Sequence, residues 1–299
     1  MLDFRIETFI AVCEYMNFTK AAQALNITQP AVSQHIHYLE QYFNTKLFEY
    51  HGKKLIITPS GEFLRTYALT LSHDSIYLKE KIESIETNKK TLRFGATLTI
   101  GQFAIYDFLY EYLSQNYEGN IHIEIDDTKT LREKITSGEI DFALVEGYFP
   151  KSEYDFLIYS EEEFVPICSG SLNTKKKAIN IDNLLENRLI IREEGSGSRE
   201  IFEIYLKSKN LKIEDFNSIA EVNNINVIKR LVEKNCGITF IYKQAVLEEL
   251  KKGTLKIIPV EGFPIKHNFY FIWRKGSIFA DYYKDMSEKF KKARENTLL

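Results

Sequence analysis

The sequence predicts a multidomain α/β chain: a winged helix-turn-helix over residues 1–58, one long linker helix over 59–90, and an α/β domain over 91–299 divided into two lobes. Three observations predict it. Two short helix patterns separated by a tight turn run into a hairpin-like segment near the start. Apolar residues then recur at every seventh position along an unbroken helical stretch. From Thr91 onward, short apolar strands alternate with helical patterns, the grammar of βαβ units. At 299 residues, a prior of roughly 150 residues per domain asks for two domains or more, and 44% hydrophobic content is ample for sizeable cores.

Residues 4 to 16 place Phe4, Ile6, Phe9, Ile10, Val12, Cys13 and Met16 at mixed helical spacing, so a first helix is expected to pack on the helix-turn-helix pair. Thr19 is expected to N-cap a helix carrying Ala21, Ala22 and Leu25 that stops at Asn26. Thr28 caps the next, with Pro30 in its first turn, where a missing N–H costs nothing. On that second helix Val32, Ile36 and Leu39 recur at i, i+4 and i+7 and form the buried stripe, which leaves Gln29, Ser33, Gln34 and His37 on the outer face. Short amide and hydroxyl side chains at the start of a helix match the donor and acceptor pattern of base edges in a major groove, while helix-end N–H groups and lysines hold phosphates. Lys53 and Lys54 come directly after Gly52 at the tip of the expected β-wing. The expected contacts to double-stranded DNA are therefore Thr28, Gln29, Pro30, Ser33, Gln34, His37, Lys53 and Lys54.

Charge alone gives this no support. The formal net charge is -3, and in the first sixty residues Arg5, Lys20, Lys46, Lys53 and Lys54 are matched by Asp3, Glu7, Glu14, Glu40 and Glu49. Electrostatic attraction then depends on local placement at the wing tip and on a dimer doubling every phosphate contact. No apolar run reaches the eighteen or so residues needed to span a bilayer, and MLDFRIETF lacks the basic start of a signal peptide, so a cytoplasmic location with no membrane partner is expected. Cys13, Cys168 and Cys236 are odd in number and far apart, and read as buried thiols. His35 and His37 lie about 200° apart on a helix, so they do not form a joint metal site, and contact with solvent or DNA is expected instead. GxSxG and HExxH are both absent, and no cofactor, metal or enzymatic activity is expected.

After the wing, Thr58-Pro59 opens a helix on which Leu64, Leu71, Leu78 and Ile85 repeat every seventh residue, joined by Ala68 and Ile82. This pattern is expected to be a dimerisation seam; one amphipathic helix on a globular core is the alternative. Asn88-Lys89-Lys90 reads as a hinge. Strands are expected at 92–95, 121–125 and 140–145, with helical stretches at about 101–115 and 130–137. A second block carries strands at 164–168, 188–191, 218–222 and 237–241, with helices at about 198–208 and 225–233. Strands at 255–260 and 268–273 lead into a helix near 278–295. Lobe I is expected at about 91–160 and 268–299, lobe II at about 161–267. The acid run Glu161-Glu162-Glu163 and the basic run Lys175-Lys176-Lys177 read as solvated faces.

In open α/β sheets ligands bind beyond the carboxyl ends of strands. The loop from Ala96 to Gly101 offers Thr97, Thr99 and the Ile100 amide. Arg192 to Arg199 offers Ser196, Gly197 and Ser198, and Asn223 precedes a further helix. Hydroxyls and amides beside free helix N–H groups suit a small anion. A phosphate-loop reading of Gly195 and Gly197 fails because the segment has no GK[ST] end; an ordinary capped turn remains the alternative.

The order AAxxLxxTQPAVSQxIxxLE, KLFE, a Gly-Lys-Lys wing and TPSGE resembles the N-terminal domain of LysR-type transcriptional regulators over about sixty residues. Gln34, His35 and His37 stand where members often carry Arg or Lys, and Tyr50 where a basic residue is frequent in the wing. The two α/β lobes, crossed twice by the chain, resemble the family's periplasmic-binding-protein-like (type 2) effector domain. The resemblance implies a homodimer or homotetramer that binds DNA, an effector between the lobes, and RNA polymerase as a further partner. It also implies effector contacts at Thr97, Thr99, Ile100, Gly147, Ser196, Gly197, Ser198 and Asn223. The segment REEGSGSR is similar to the branch associated with cysteine biosynthesis and sulfur assimilation, which implies a sulfur oxyanion or a small carboxylate as effector. The competing expectation is a cytosolic two-lobed small-molecule-binding protein or enzyme whose N-terminal segment serves only assembly.

Overall fold

The computed structural model describes residues 3–87, 91–115, 119–172 and 177–298; the expected hinge at 88–90 and Lys175-Lys176 lie outside the described residues. Asp3 accepts a hydrogen bond from the Arg5 amide and starts α1 (Phe4–Tyr15), which Met16 ends in the left-handed conformation. Asn17, not Thr19, caps α2 (Phe18–Ala24), because its side chain accepts from the Lys20 amide ahead of the expected start. Asn26 turns the chain at φ 54°. Thr28 then caps α3 (Gln29–Tyr42) through the Ala31 amide at 3.3 Å, with Pro30 in the first turn. Val32, Ile36 and Leu39 are buried among Phe9, Val12, Ala21 and Leu47. Each such side chain contributes roughly 1.5–3 kcal/mol by leaving water.

The wing is a two-strand hairpin, β1 (Phe48–His51) and β2 (Lys54–Ile57), with Gly52 at φ 63° in the first position of its turn, where a glycine permits the primed geometry that hairpins favour. Thr58 donates to the Lys46 carbonyl at 2.6 Å and accepts from the Gly61 amide, fixing the start of α4 (Pro59–Thr87) against the wing.

The rest is built on one sheet that both lobes share. Its path is β10 (Leu255–Ile257), β6 (Tyr154–Ser169), β11 (Ile265–Arg274), β5 (Phe142–Val145), β3 (Thr91–Ala96) and β4 (Asn120–Ile125), with β9 (Thr239–Tyr242) also paired to β6. Strands β3, β4 and β5 are parallel, with α7 (Thr128–Ser137) between β4 and β5. The sequence pattern missed the first half of β6, because Tyr154–Glu163 mixes exposed acids with apolar residues, yet this half pairs antiparallel with β11. The expected helix at 101–115 is two, α5 (Leu98–Phe103) and α6 (Tyr106–Gln115), broken at Ala104-Ile105. The second lobe adds β7 (Arg188–Ile191) parallel to β8 (Ser218–Glu221), with α8 (Gly197–Ser208), α9 (Ile225–Glu233) and a short α10 (Leu247–Lys252) that the sequence did not signal. The last helix, α11 (Ala280–Leu298), stacks Phe290 on Phe108 beneath the first lobe's sheet. Strands β6 and β11 run unbroken from one lobe into the other, the two chain crossings of the expected architecture.

The linker helix has two dissimilar sides. Leu64 and Ala68 turn into the core of the N-terminal head. Toward the α/β domain, the Thr70 hydroxyl donates to the Lys275 carbonyl, the buried Arg274 guanidinium donates to the Thr66 carbonyl, and Asp74 accepts from Ser277 Oγ at 2.6 Å and the Ile278 amide at 2.9 Å. Phe63, Tyr67, Leu71, Leu78, Ile82 and Ile85 remain exposed. At about 100° per residue they fall within an arc of about 100° on the helix. Of the expected seam, then, Leu71, Leu78, Ile82 and Ile85 face solvent, while Leu64 and Ala68 belong to the head. Cys168 is buried but Cys13 and Cys236 are only half-buried, a correction to the reading of three buried thiols. Among the described residues no helix is long and apolar enough to cross a membrane.

Candidate functional site

The head presents α3 with its apolar stripe turned inward, so Gln29, Pro30, Gln34 and His37 are exposed and Ser33 is half-buried. The Gln29 amide nitrogen donates to Ser33 Oγ at 2.8 Å, and Gln41 and His37 pair at 2.9 Å; both are solvent-facing bonds that a base edge can replace. Thr28, which also faces solvent, spends its hydroxyl on the helix cap. His35 departs from the expected contact with solvent or DNA: it packs edge-on against Phe4 and hydrogen-bonds the Thr8 hydroxyl at 2.9 Å, tying α3 to α1. Lys53 and Lys54 are exposed at the hairpin tip, and neither has an ion-pair partner among the described residues. By contrast, Lys46 is neutralised by Glu40 and Arg5 by Asp3.

The second site lies where the lobes meet. A cleft of about 210 Å³ is lined by Thr97 and Asp126 from the first lobe, Arg192, Ser196 and Gly197 from the second, and Glu146 just beyond β5. Asn223 also lines it, while its neighbour Asn224 caps α9 by accepting from the Val227 amide. Ser196 is the N-cap residue of α8, yet its hydroxyl bonds no helix amide; it pairs with Ser198 Oγ at 3.0 Å, leaving the first amides of a twelve-residue helix without a side-chain cap. Gly197 has a steric reason to be glycine: a Cβ there would lie 2.5 Å from Glu146 Cγ and 3.0 Å from the Gly147 amide, so only glycine lets the lobes approach this closely. Gly147 itself lines a neighbouring, largely apolar cavity of about 430 Å³ with Tyr148, Ile204, His267 and Tyr270. Ile100, an expected effector contact, is instead fully buried in the core and does not line the cleft, because its apolar side chain packs under the first lobe's sheet. Thr99 stands behind the wall, donating to Glu146 Oε1 at 3.2 Å.

Among the described residues, three atoms at this cleft are buried without a hydrogen-bond partner: Thr97 Oγ1, Arg192 Nη1 and Glu146 Oε2. Leaving a buried polar group unsatisfied costs about 1–3 kcal/mol, more for a charged one, so three in one place make this cleft the candidate ligand site. Burial pushes the Glu146 carboxyl up to about 7, despite the Thr99 hydrogen bond and the Arg192 charge, with Glu193 pushing the same way as burial. The rest of the Arg192 guanidinium is held by Glu193, whose own carboxyl is penalised by burial but lies below its ordinary value because Arg192 donates to it. Sequence reasoning missed Glu146. Its signal was available: a lone acid directly after the wholly apolar Phe142–Val145 strand, at the carboxyl end where ligands bind.

Two family models match the chain: residues 5–62 match the bacterial regulatory helix-turn-helix protein, lysR family, and residues 86–280 match the LysR substrate binding domain. The chain is 28% identical to the HTH-type transcriptional regulator CysL of Bacillus subtilis, with 89% of each chain covered. It is 30% identical to the HTH-type transcriptional activator CmpR of Synechocystis, covering 94% of this chain and 93% of CmpR. The structure is similar to full-length LysG of Corynebacterium glutamicum with bound effector Arg, at a TM-score of 0.65, 12% identity and 99% coverage of both chains.

Proposed function

The chain belongs to the family of LysR-type transcriptional regulators, and from that premise we propose that the outer face of α3 reads base edges at a partly palindromic site while a small anion between the lobes alters the spacing of two reading heads. The protein is a DNA-binding transcriptional regulator with an effector-binding domain. The observation that carries the reading of its DNA interface is the exposure of Gln29, Gln34 and His37 opposite a buried apolar stripe, beside two unpaired lysines at the wing tip. A segment serving only assembly has no use for that combination.

For the effector, the uncapped start of α8, the Ser196–Ser198 pair and the free Thr97 hydroxyl support an acid group, a sulfur oxyanion or a small carboxylate. The same-fold regulator LysG holds Arg, itself a carboxylic acid. Two copies joined along the exposed stripe of α4 give the homodimer or homotetramer that a palindromic site needs.

The test is fluorescence-anisotropy binding to DNA upstream of the protein's own gene, against scrambled DNA over a salt series, with and without sulfate, sulfite, thiosulfate and small carboxylates. Tight, sequence-preferring binding shifted by one of these anions is the expected result. Specific binding that none of them alters overturns the effector reading. Absence of sequence preference at this and other genomic sites overturns the assignment of the reading face.

A further inference from the structure

Resting on the cleft between the lobes as the effector site, we propose that the effector presents a hydrogen-bond donor to Glu146 beside its acid group, so that its class is a small acid carrying an ammonium, a hydroxyl or an acidic proton and not a bare oxyanion. The cleft contains two kinds of unmet need. Thr97 Oγ1, Arg192 Nη1 and the first amides of α8 are donors waiting for an acceptor. Glu146 Oε2 is the opposite, an acceptor with 2% of its residue exposed and no donor within reach among the described residues. A ligand made only of acceptor oxygens satisfies the first group and leaves a carboxylate oxygen facing another anion, a repulsion strengthened by low local dielectric.

The surroundings point the same way. Glu146 is faced by Arg192 and Glu193 from the loop before α8, shares the adjoining cavity with Glu200 one turn into α8, and lies near Tyr242 from β9, whose hydroxyl is kept protonated by burial and by Glu146, Glu162 and Glu200. Asp126 and Asp127 stand at the mouth, with Asp127 committed to capping α7, and His267 lines the adjoining cavity, where burial keeps its ring neutral. Among the described residues lining the cleft, Arg192 is thus the one cation beside several acids. A ligand with net charge near zero or -1 and a donor of its own fits this balance; a bare dianion does not. The nearby Thr99 hydroxyl fixes which oxygen of Glu146 is spent and leaves Oε2 as the free one.

The experiment is calorimetric binding to the whole chain at pH 8, where Glu146 is mostly ionised, using sets of acids that differ in the donor they carry. Acetate, glycolate and glycine share one carboxylate; sulfate and phosphate share one tetrahedral shape, and only phosphate keeps a proton. The expected result is at least tenfold tighter binding of glycolate or glycine than acetate, or of phosphate than sulfate. In Glu146→Gln that preference falls below threefold, because the amide turned away from Thr99 offers a donor where Oε2 accepted. Lowering the pH to 6 weakens the wild-type preference, since a protonated Glu146 itself donates to a bare oxyanion. The preference in wild type needs no variant to be read. Equal binding within every set, or a preference untouched in a folded Glu146→Gln, overturns the inference while the acid site stands. If no member of either set binds, the acid-site reading falls and this inference with it.

Discussion

At the scale of single residues, function divides between side chains that discriminate and side chains that only attract. Gln29 and Ser33 form a local pair whose donors and acceptors point outward, the kind of contact worth about 1–3 kcal/mol between right and wrong base pairs. Gln29→Ala is expected to relax preference at one or two positions of the operator, whereas Lys53→Ala lowers affinity for all sequences alike and flattens the salt dependence by about one phosphate contact. Anisotropy titrations on operators mutated one base pair at a time, repeated over salt, separate the two; an evenly weakened Gln29→Ala would show that α3 is not the reading element. Glu146 makes a prediction of a different kind. Its carboxyl is raised from 4.5 to about 7 by burial, so the folded state holds its proton more tightly than the unfolded chain. Its contribution to stability is therefore fully present below pH 4.5 and is lost as pH rises through 7, a change of the order of 3 kcal/mol in the unliganded protein. Thermal melts from pH 4.5 to 8.5 should show this decline in wild type and not in Glu146→Gln, which should be the more stable of the two at pH 8. Parallel melting curves would mean the carboxyl is not desolvated.

At the scale of elements, the linker helix is hydrogen-bonded to the α/β domain at one stretch and packed into the head at another. Asp74 is the latch: it accepts from the Ser277 hydroxyl and the Ile278 amide in the turn after β11, a strand shared by both lobes. Burial raises its carboxyl, but the bonds from His73, Ser277 and Ile278 outweigh burial and hold it below its ordinary value of 3.8. The latch is thus intact at neutral pH and is released only as the solution is acidified below 3.8. Asp74→Asn keeps one accepting oxygen but places an amide donor against one of the two donors, with an expected loss of about 1–3 kcal/mol in stability. It should also give faster hydrogen exchange along α4, with DNA binding retained and its response to effector diminished. An unchanged response would place the coupling elsewhere. The same elements explain what the sequence could and could not convey. Strand β7 was legible as a short unbroken apolar run, and helix α9 because its apolar residues recur with one period inside one lobe. The first half of β6 was not: Tyr154–Glu163 bridges the lobes with one edge exposed, so its pattern carries no single period. Thr28 was legible as a cap because Pro30 confirms it locally, while Asn17 and Thr19 are both competent caps and only the packing of α2 on α1 decides. Glu146 escaped because buried acids are exceptions to the rule that makes cores readable. His35 escaped because its partners, Phe4 and Thr8, are distant in sequence.

At the scale of the whole molecule, the exposed stripe of α4 determines whether any of this becomes regulation. Leu71, Leu78, Ile82 and Ile85 are 45–79% exposed on one side of a 29-residue helix whose other side is already docked. An exposed apolar surface of that length is expected to be a contact surface, and its seven-residue repeat suits a second copy of itself. Ile82→Asp puts a charge on this stripe about two turns beyond Asp74, clear of the head core and of the latch. Light scattering should then report a monomer where wild type gives a dimer or tetramer. Operator affinity should fall by about 100-fold or more, because the second head no longer binds at the high effective concentration that linkage provides. The slope of log affinity against log salt should fall by about half, since half the phosphate contacts are lost. Effector binding within one chain's cleft should be unaffected, because both lobes of that cleft belong to the same chain. That last expectation separates two kinds of coupling. A ligand changes DNA affinity only through a difference in its affinity for two states of the protein, and DNA must shift the ligand's affinity by the same factor. If those states differ in how two heads are spaced, Ile82→Asp abolishes the reciprocal effect while leaving both separate bindings measurable; if the effect survives in the monomer, the two states lie within one chain, along the path from Glu146 through β11 to Asp74.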